Sequence, residues 1–543
     1  MGHLEPSAAV APARGARLPA VRTPARTRRP GGNDDEPELI RALRRPAAYP
    51  HAVKAVRLVQ THISWVLLTG AVAYKLKKPV NLGFLDFSTL ARRRRACEEE
   101  LRLNRRWAPE LYLDVVPIAG TPAVPRPGGM GAPFEYAVRM RQFPQRAQLD
   151  RRLAAGALTR AEVEVFAQEL GRVHAQAPVA RADGPFGTVR AVRAPVEHSS
   201  ATLLGLARGS DEAATIAAVQ HWIVGQPADA ALRARLRDGF VREVHGDLHL
   251  ANLVRWRGRV RAFDCIEFDP ALRWIDVLSD AAFLVMDLAY RGRRDLAYAF
   301  LNRYLETTGD YRGLPVLRYY LVYRALVRAK IAAIRRAARP PGAADADSAS
   351  VRAHLALAQA WTQPARPALV LMHGLSGSGK TRFSDALVTG LPAVRLRSDL
   401  ERRREGAAGP RYSAAALEAN YARLAALAEG VLAGGENAVV DATFLARRER
   451  ARFEALAARL GVPCVIASCR APRDALERRI RRRARAGSDA SEADLAVLAR
   501  QIETADPLTA AERAGTVEFD TTLPVDSAAV AREVRARCAA GRA

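Results

Sequence analysis

Lysine is almost missing from this chain. Among 543 residues it occurs only at 54, 75, 77, 78, 330 and 380, although Lys+Arg together reach 84 and the formal net charge is +27. Arginine and alanine dominate as GC-rich coding would make them, so the charge alone is weak ground for a nucleic-acid or membrane-surface partner. A lysine that survives such replacement marks a place where a compact ammonium serves and a planar guanidinium does not. Four of the six, Lys75, Lys77, Lys78 and Lys380, fall in the phosphate-binding segments described below.

Cysteine is also scarce. Cys97, Cys265, Cys464, Cys469 and Cys538 are scattered, which excludes a disulfide scaffold and the paired spacing of a zinc site. No unbroken apolar run reaches transmembrane length, and residues 1–30 lack the apolar core of a signal peptide. We expect a soluble, cytoplasmic chain with no membrane partner. Aromatic residues, at 6%, are too sparse for the stacking platforms of single-strand binders. What is present is globular: 49% hydrophobic residues in a chain long enough for two large folding units.

Composition shifts place the boundaries. Residues 1–36 form an Ala/Pro/Arg/Gly-rich segment, expected as a disordered basic tail. A first domain is expected at 37–338, with an N-lobe at 37–143 and a C-lobe at 144–338. A linker containing a helix follows at 339–365, then a second domain at 366–543. Oligomeric state is not legible.

In the first half, Trp65-Val66-Leu67-Leu68, a turn at Thr69-Gly70 and Ala71 to Lys77 read as a hairpin, with Lys75 and Lys77 on one face. A Val-Ala-Tyr-Lys lysine there matches the one that pairs ATP phosphates in kinases. The helical pattern from Arg92 to Trp107 carries Glu98-Glu99-Glu100, and Glu100 is our choice for the lysine's ion-pair partner. Next comes His245-Gly246-Asp247-Leu248-His249-Leu250-Ala251-Asn252, then an apolar strand ending at Asp264. An Asp that takes or orients a hydroxyl proton, followed by an Asn and a second Asp that hold Mg²⁺, is the equipment of phosphoryl transfer. His245 is expected to anchor the loop, and Asp276 or Asp280 to brace it or cap a helix.

These residues resemble the aminoglycoside phosphotransferase and choline kinase superfamily, whose catalytic loop reads His-Gly-Asp-x-x-x-x-Asn. The resemblance spans roughly 50–335 and includes the helix from Phe166 to His174. It implies a protein-kinase-like α+β fold, Asp247 as catalytic base, Asn252 and Asp264 as magnesium ligands and Lys75 as an ATP ligand. Two departures stand out: no Gly-x-Gly lies between Gln60 and Gly70, and Asp264 is followed by Cys265-Ile266-Glu267. Residues 178–240 read as a helical insertion shaping the acceptor pocket, with no acidic cluster for a polycationic drug.

The second half opens with the apolar run Ala368 to His373. At once Gly374-Leu375-Ser376-Gly377-Ser378-Gly379-Lys380-Thr381 follows, the phosphate-loop motif in the strand-to-helix context that supports it. Its backbone N–H groups would wrap phosphates, Lys380 would reach the β and γ oxygens, and Thr381 would ligate Mg²⁺. Strands near 393–396, 438–440, 463–468 and 516–519, separated by helices, predict an α/β domain with a doubly wound parallel sheet. Asp399 and Arg402 are read as the acceptor-activating pair, with a helix N-cap as the alternative for Ser398 or Asp399, Asp441 as the second magnesium acid, and Arg482 and Arg485 as lid cations, with a solvated basic face as their alternative. This half looks like the gluconate kinase and polynucleotide kinase branch of P-loop kinases, and the pairing resembles bacterial fusions of the two domain types. The combined expectation is a bifunctional kinase using two MgATP on hydroxyls of small molecules. The alternatives are a nucleic-acid 5′-hydroxyl kinase, possible but less favoured, and a nucleotide-dependent regulatory ATPase.

Overall fold

The computed structural model describes residues 36–83, 85–338, 346–404, 413–486, 493–524 and 526–540. The expected basic tail lies almost wholly outside the described residues, as do the predicted helix stop at 339–345 and the end of the basic run at 487–489.

The first half begins with a six-stranded antiparallel sheet: β1 (Arg57–Gln60), β2 (Ser64–Leu68), β3 (Val72–Lys77), β4 (Tyr112–Gly120), β5 (Pro125–Pro127) and β6 (Glu135–Arg141), in the order β1-β2-β3-β6-β4-β5. Alternation splits it by face. Tyr74 and Leu76 join Trp65, Leu67, Val116 and Ile118 in one apolar cluster. Lys75 and Lys77 point the other way, toward helix α1 (Leu90–Asn104), which starts where the Thr89 side chain accepts from Arg92 N.

Below it lies a helical lobe. Helix α2 (Arg160–Gln176) opens with a Thr159/Glu162 capping box. Helices α3 (Val189–Leu206), α4 (Glu212–Val224) and α5 (Asp229–Arg237) occupy the stretch expected to be a helical insertion. Two short antiparallel pairs carry the loops of the cleft: β7 (Val241–Glu243) with β10 (Trp274–Asp276), and β8 (Leu253–Trp256) with β9 (Arg259–Ala262). Helices α6 (Val277–Tyr290), α7 (Arg294–Thr308), α8 (Leu314–Ala337) and α9 (Ala346–Thr362) complete the lobe. Val351, Leu355 and Ala358 of α9 are buried in the same core as Leu321 and Ala325 of α8, so the predicted linker helix is packed into the lobe.

The second half is a five-stranded, wholly parallel sheet: β11 (Leu369–His373), β12 (Ala393–Arg397), β13 (Asn437–Asp441), β14 (Cys464–Arg470) and β15 (Thr516–Asp520), ordered β12-β13-β11-β14-β15. Its helices of seven or more residues are α10 (Lys380–Gly390), α11 (Ser398–Arg404), α12 (Ala414–Ala433), α13 (Arg447–Leu460), α14 (Arg473–Ala486), α15 (Leu495–Thr504) and α16 (Ser527–Ala540). Val370 and Met372 pack under α10 and α16 with Phe383, Leu387, Val530 and Val534. Leu369 and Leu371 face the opposite side, in a cluster with Leu424 of α12, Phe453 of α13 and Phe300 of α7. The chain therefore joins a protein-kinase-like α+β half to a P-loop α/β half, and one apolar core runs across the join. No described helix is long and apolar enough to cross a membrane.

Candidate active sites

The first site gathers side chains from four distant segments. Lys75 Nζ donates to Glu100 Oε1 at 2.8 Å and also pairs with Asp264. Burial works to lower the Lys75 ammonium, but Asp264 and Glu100 overcome it and hold the group well above the ordinary lysine range. Among the three candidate glutamates the geometry selects Glu100; Glu98 pairs with Arg94, and Glu99 with Arg102 and Arg273. Asp264 has a left-handed backbone (φ 63°), and its N–H donates to the Tyr112 hydroxyl at 3.0 Å. Such a conformation in a non-glycine residue is costly and marks a place where its neighbours dictate the backbone.

Asp247 lies beside it. Asn252 Nδ2 donates to Asp247 Oδ2 at 2.9 Å and to its carbonyl at 3.0 Å, which leaves Asn252 its amide oxygen for a cation. Burial would raise the Asp247 carboxyl; the nearby His249 ring and Arg328 guanidinium outweigh it and hold the group far below the usual range. Asp247 is thus a carboxylate at neutral pH. Asp280, fully buried, accepts from His245 N (3.2 Å) and Gly246 N (2.8 Å) and lies 3.3 Å from His174 Nε2, so it braces the loop. Asp276 instead caps α6 and pairs with Arg235. His245 lies 3.0 Å from the Phe263 carbonyl, spanning the loop and the Asp264 strand as expected. Gly246 is required: at φ 84° a Cβ would stand 2.6 Å from Leu272 O.

Sequence reasoning named Lys77 and Glu267 but missed their pairing. Lys77 is fully buried and pairs with both Glu100 and Glu267, so two lysines share one glutamate. The alternation of β3 put Lys77 on the Lys75 face, but nothing in the spacing disclosed that Glu267 returns to it from 190 residues away. Arg328 and His249 beside the base were also missed. The β1–β2 turn is only Thr61-His62-Ile63, closed by Thr61 N to Ser64 O at 2.9 Å. It contains no glycine, so it has none of the Gly-x-Gly backbone freedom of a phosphate-covering loop.

The second site lies beyond the carboxyl ends of β11, β12 and β13, where doubly wound sheets bind ligands. A cavity of about 920 Å³ is lined there by the phosphate loop, Asp399, Arg402, Asp441 and Arg482. Gly374 (φ 138°) has its missing Cβ 2.4 Å from Cys469 O, so the turn into the loop admits no side chain. Ser376, Gly377, Gly379, Lys380 and Thr381 line the cavity; Gly374, Leu375 and Ser378 shape the loop from behind. Lys380 Nζ donates to Gly374 O and Leu375 O at 2.8 and 2.9 Å. Burial lowers its ammonium, with Asp441 opposing. Asp399 and Arg402 pair directly on α11. Ser384 Oγ lies 3.0 Å from Asp441 Oδ2.

One lid assignment is corrected. Arg485 is exposed and outside the cavity lining, whereas Arg479 and Arg483 join Arg482 there. Arg479 Nη1 donates to Gly377 O at 3.2 Å, so α14 meets the loop at Arg479; each later residue adds about 1.5 Å of helix, and Arg485 has left the cavity. Gln501 of α15, also missed, accepts from Ser376 N at 2.8 Å.

Both sites offer oxygen donors of the kind a hard cation takes. Among the described residues no three His, Cys, Asp or Glu side chains form a resident metal cluster. One or two carboxylates together with substrate phosphates is how Mg²⁺ is usually held, and Asn252 with Asp264, or Thr381 with Asp441, fits that pattern.

These features define a two-part protein: a kinase-like cleft joined to a P-loop domain. The family model described as an AAA domain matches residues 369–508. Mycobacterium tuberculosis (strain H37Rv) has a relative, described as uncharacterized protein Rv2004c, that is 32% identical over 459 residues, covering 82% of this chain and 90% of its own. The chain belongs to the family of that protein. A gluconokinase from Sinorhizobium meliloti is similar at 22% identity over 33% of this chain and 94% of its own (TM-score 0.23), and an ethanolamine kinase of Plasmodium vivax at 9% over 57% and 82% (TM-score 0.36).

Proposed function

We propose that the chain is a bifunctional ATP-dependent phosphotransferase acting on hydroxyl groups of small molecules, with one nucleotide site in each half. The observation that carries the reading is the convergence of Lys75, Glu100, Asp247, Asn252 and Asp264 in one cleft, beside an independent phosphate loop with its own acids. The family resemblance of the first half, and the matched P-loop domain of the second, support the same reaction class.

In the first half, Lys75, held by Glu100, grips the nucleotide phosphates. Asp247 accepts or orients the proton of the acceptor hydroxyl, and Asn252 holds its carboxylate through one hydrogen bond and its backbone carbonyl through another. In the second, loop N–H groups and Lys380 hold the β and γ phosphates, Asp399 orients the acceptor hydroxyl, and Arg479, Arg482 and Arg483 offset charge on the transferring group. Mg²⁺ held by Asn252 and Asp264, or by Thr381 and Asp441, would neutralise phosphate charge.

A screen of acceptors with labelled ATP, using the full chain and its Asp247→Asn and Lys380→Ala variants, tests the reading. Transfer to metabolites, with each variant losing a different product, supports it. Transfer to a 5′-hydroxyl oligonucleotide moves the second half to the end-kinase class. Hydrolysis without any transfer favours the regulatory reading, which the glycine-free β1–β2 turn also supports.

A further inference from the structure

β12 is an edge strand, and an edge ordinarily leaves a row of N–H and C=O groups unpaired. Here α7 of the first half lies along it. Asn302 Nδ2 donates to Ala393 O at 2.8 Å, and Asn302 Oδ1 accepts from Arg395 N at 2.6 Å, so one side chain supplies the bonds of a neighbouring strand. One helical turn on, Glu306 Oε1 receives the Arg395 guanidinium at 2.7 Å from Nη2 and 3.1 Å from Nε. Arg395 Nη1 lies 3.3 Å from Asp385 Oδ1 and 3.4 Å from Ser384 Oγ, the hydroxyl 3.0 Å from Asp441. Arg395 and Glu306 are both buried.

A second grip lies at the end of α7. Arg404 Nη2 donates to Glu306 O in the last turn, where the dipole favours a cation, and lies 3.4 Å from Leu305 O, which already accepts from Gly309 N. Arg404 closes α11, the helix carrying Asp399 and Arg402, and also pairs with its own Glu401, which Arg423 of α12 holds from the other side.

We propose that α7 of the kinase-like half is a working part of the phosphate-loop site: Glu306, through Arg395 and Ser384, positions Asp441, and the end of α7, through Arg404, positions the Asp399–Arg402 helix. The proposal rests on the reading of that site given above. A buried arginine deprived of its carboxylate turns to the acids that remain, and those within its reach are Asp385 and, one hydroxyl further, Asp441. Glu306 is therefore a positioning residue for the metal acid, supplied by the other half of the chain.

The test uses the full chain and ADP as probe. Binding is measured by calorimetry with and without Mg²⁺, and Lys380→Ala gives the signal of the first site for subtraction. Glu306→Gln should weaken the Mg²⁺ dependence of ADP binding at the phosphate loop about tenfold, the usual cost of disturbing a metal ligand's support, and leave metal-free binding unchanged. A Glu306→Gln protein that melts lower yet keeps the wild-type Mg²⁺ response is only structurally impaired, and overturns the proposal. If Glu306→Gln does not fold, the partly exposed Arg404→Ala decides: about tenfold lower turnover of the second site at unchanged KM for ATP supports the proposal, and unchanged turnover overturns it. If Lys380→Ala removes no ADP, the reading of the site itself fails instead.

Discussion

On the proposed function, the two sites would handle phosphate by opposite means. The second does so mainly with backbone: eight consecutive residues, four of them glycine or lysine, bend one strand end into a cradle. The first does so with side chains alone, bringing Lys75, Glu100, Asp247 and Asp264 together from positions up to 189 residues apart, with only a three-residue turn where a glycine-rich loop would lie. A cradle of main-chain amides is fixed by local sequence and tolerates change in the rest of the fold. A cleft of converging charges depends on every element that delivers one, and it needs buried countercharges to stay together.

The largest effect that sharpens this contrast is expected from Lys380→Ala. Losing the only side-chain ammonium of the cradle should lower turnover by the second site about 100-fold or more, with no change in the first; equal losses at both would mean that the sites are not separate. Asp247→Asn keeps the shape of the first cleft and removes its proton acceptor. Transfer by that half should fall about 10²- to 10⁴-fold with nucleotide binding retained, and undiminished transfer would remove Asp247 from the chemistry.

How far each site could be read in advance follows from the same difference. The phosphate loop, its strand and the acids after β12 and β13 are local signals, and the strand order adds only their convergence. In the first half the His245–Asn252 segment is equally local, and the β3 alternation correctly placed Lys75. Glu100 could not be separated from Glu98 and Glu99 by pattern, because all three sit on one helix turn and only the third dimension says which faces β3. The partners of Lys77, the roles of Glu267 and Arg328 and the α7 contacts with β12 were invisible, since tertiary ion pairs leave no spacing in the chain. Arg485 was misplaced because an arginine run has no periodicity of its own to say where the helix parts from the cavity.

A smaller effect tests whether buried countercharge holds the first cleft. Glu267→Gln leaves fully buried Lys77 to share Glu100 with Lys75. A loss of about 3 kcal/mol is expected, seen as a lower melting temperature of the chain, while ADP binding at the phosphate loop is unchanged. Unaltered melting would mean that Glu267 is dispensable.

The smallest effect concerns the join. Glu436, beside β13, accepts from the Tyr298 hydroxyl of α7 at 2.5 Å. Burial raises its carboxyl to about 7, against the ordinary 4.5, with Tyr298 and Arg318 opposing. The folded protein therefore holds this proton more tightly than the unfolded chain does. The resulting stabilisation is complete below pH 4.5 and is lost as pH rises through about 7, amounting to at most about 3 kcal/mol. Glu436→Gln should flatten the fall in melting temperature between pH 5 and 8; an unchanged slope would assign that fall to other groups.

The most direct measurement is the number of ADP molecules bound per chain, by calorimetry with Mg²⁺. Two are expected for the full chain, one for Lys380→Ala and one for Lys75→Ala, each variant losing a different component of the titration. A single ADP in the unaltered chain, or a Lys75→Ala chain that still binds two, would contradict a nucleotide site in each half.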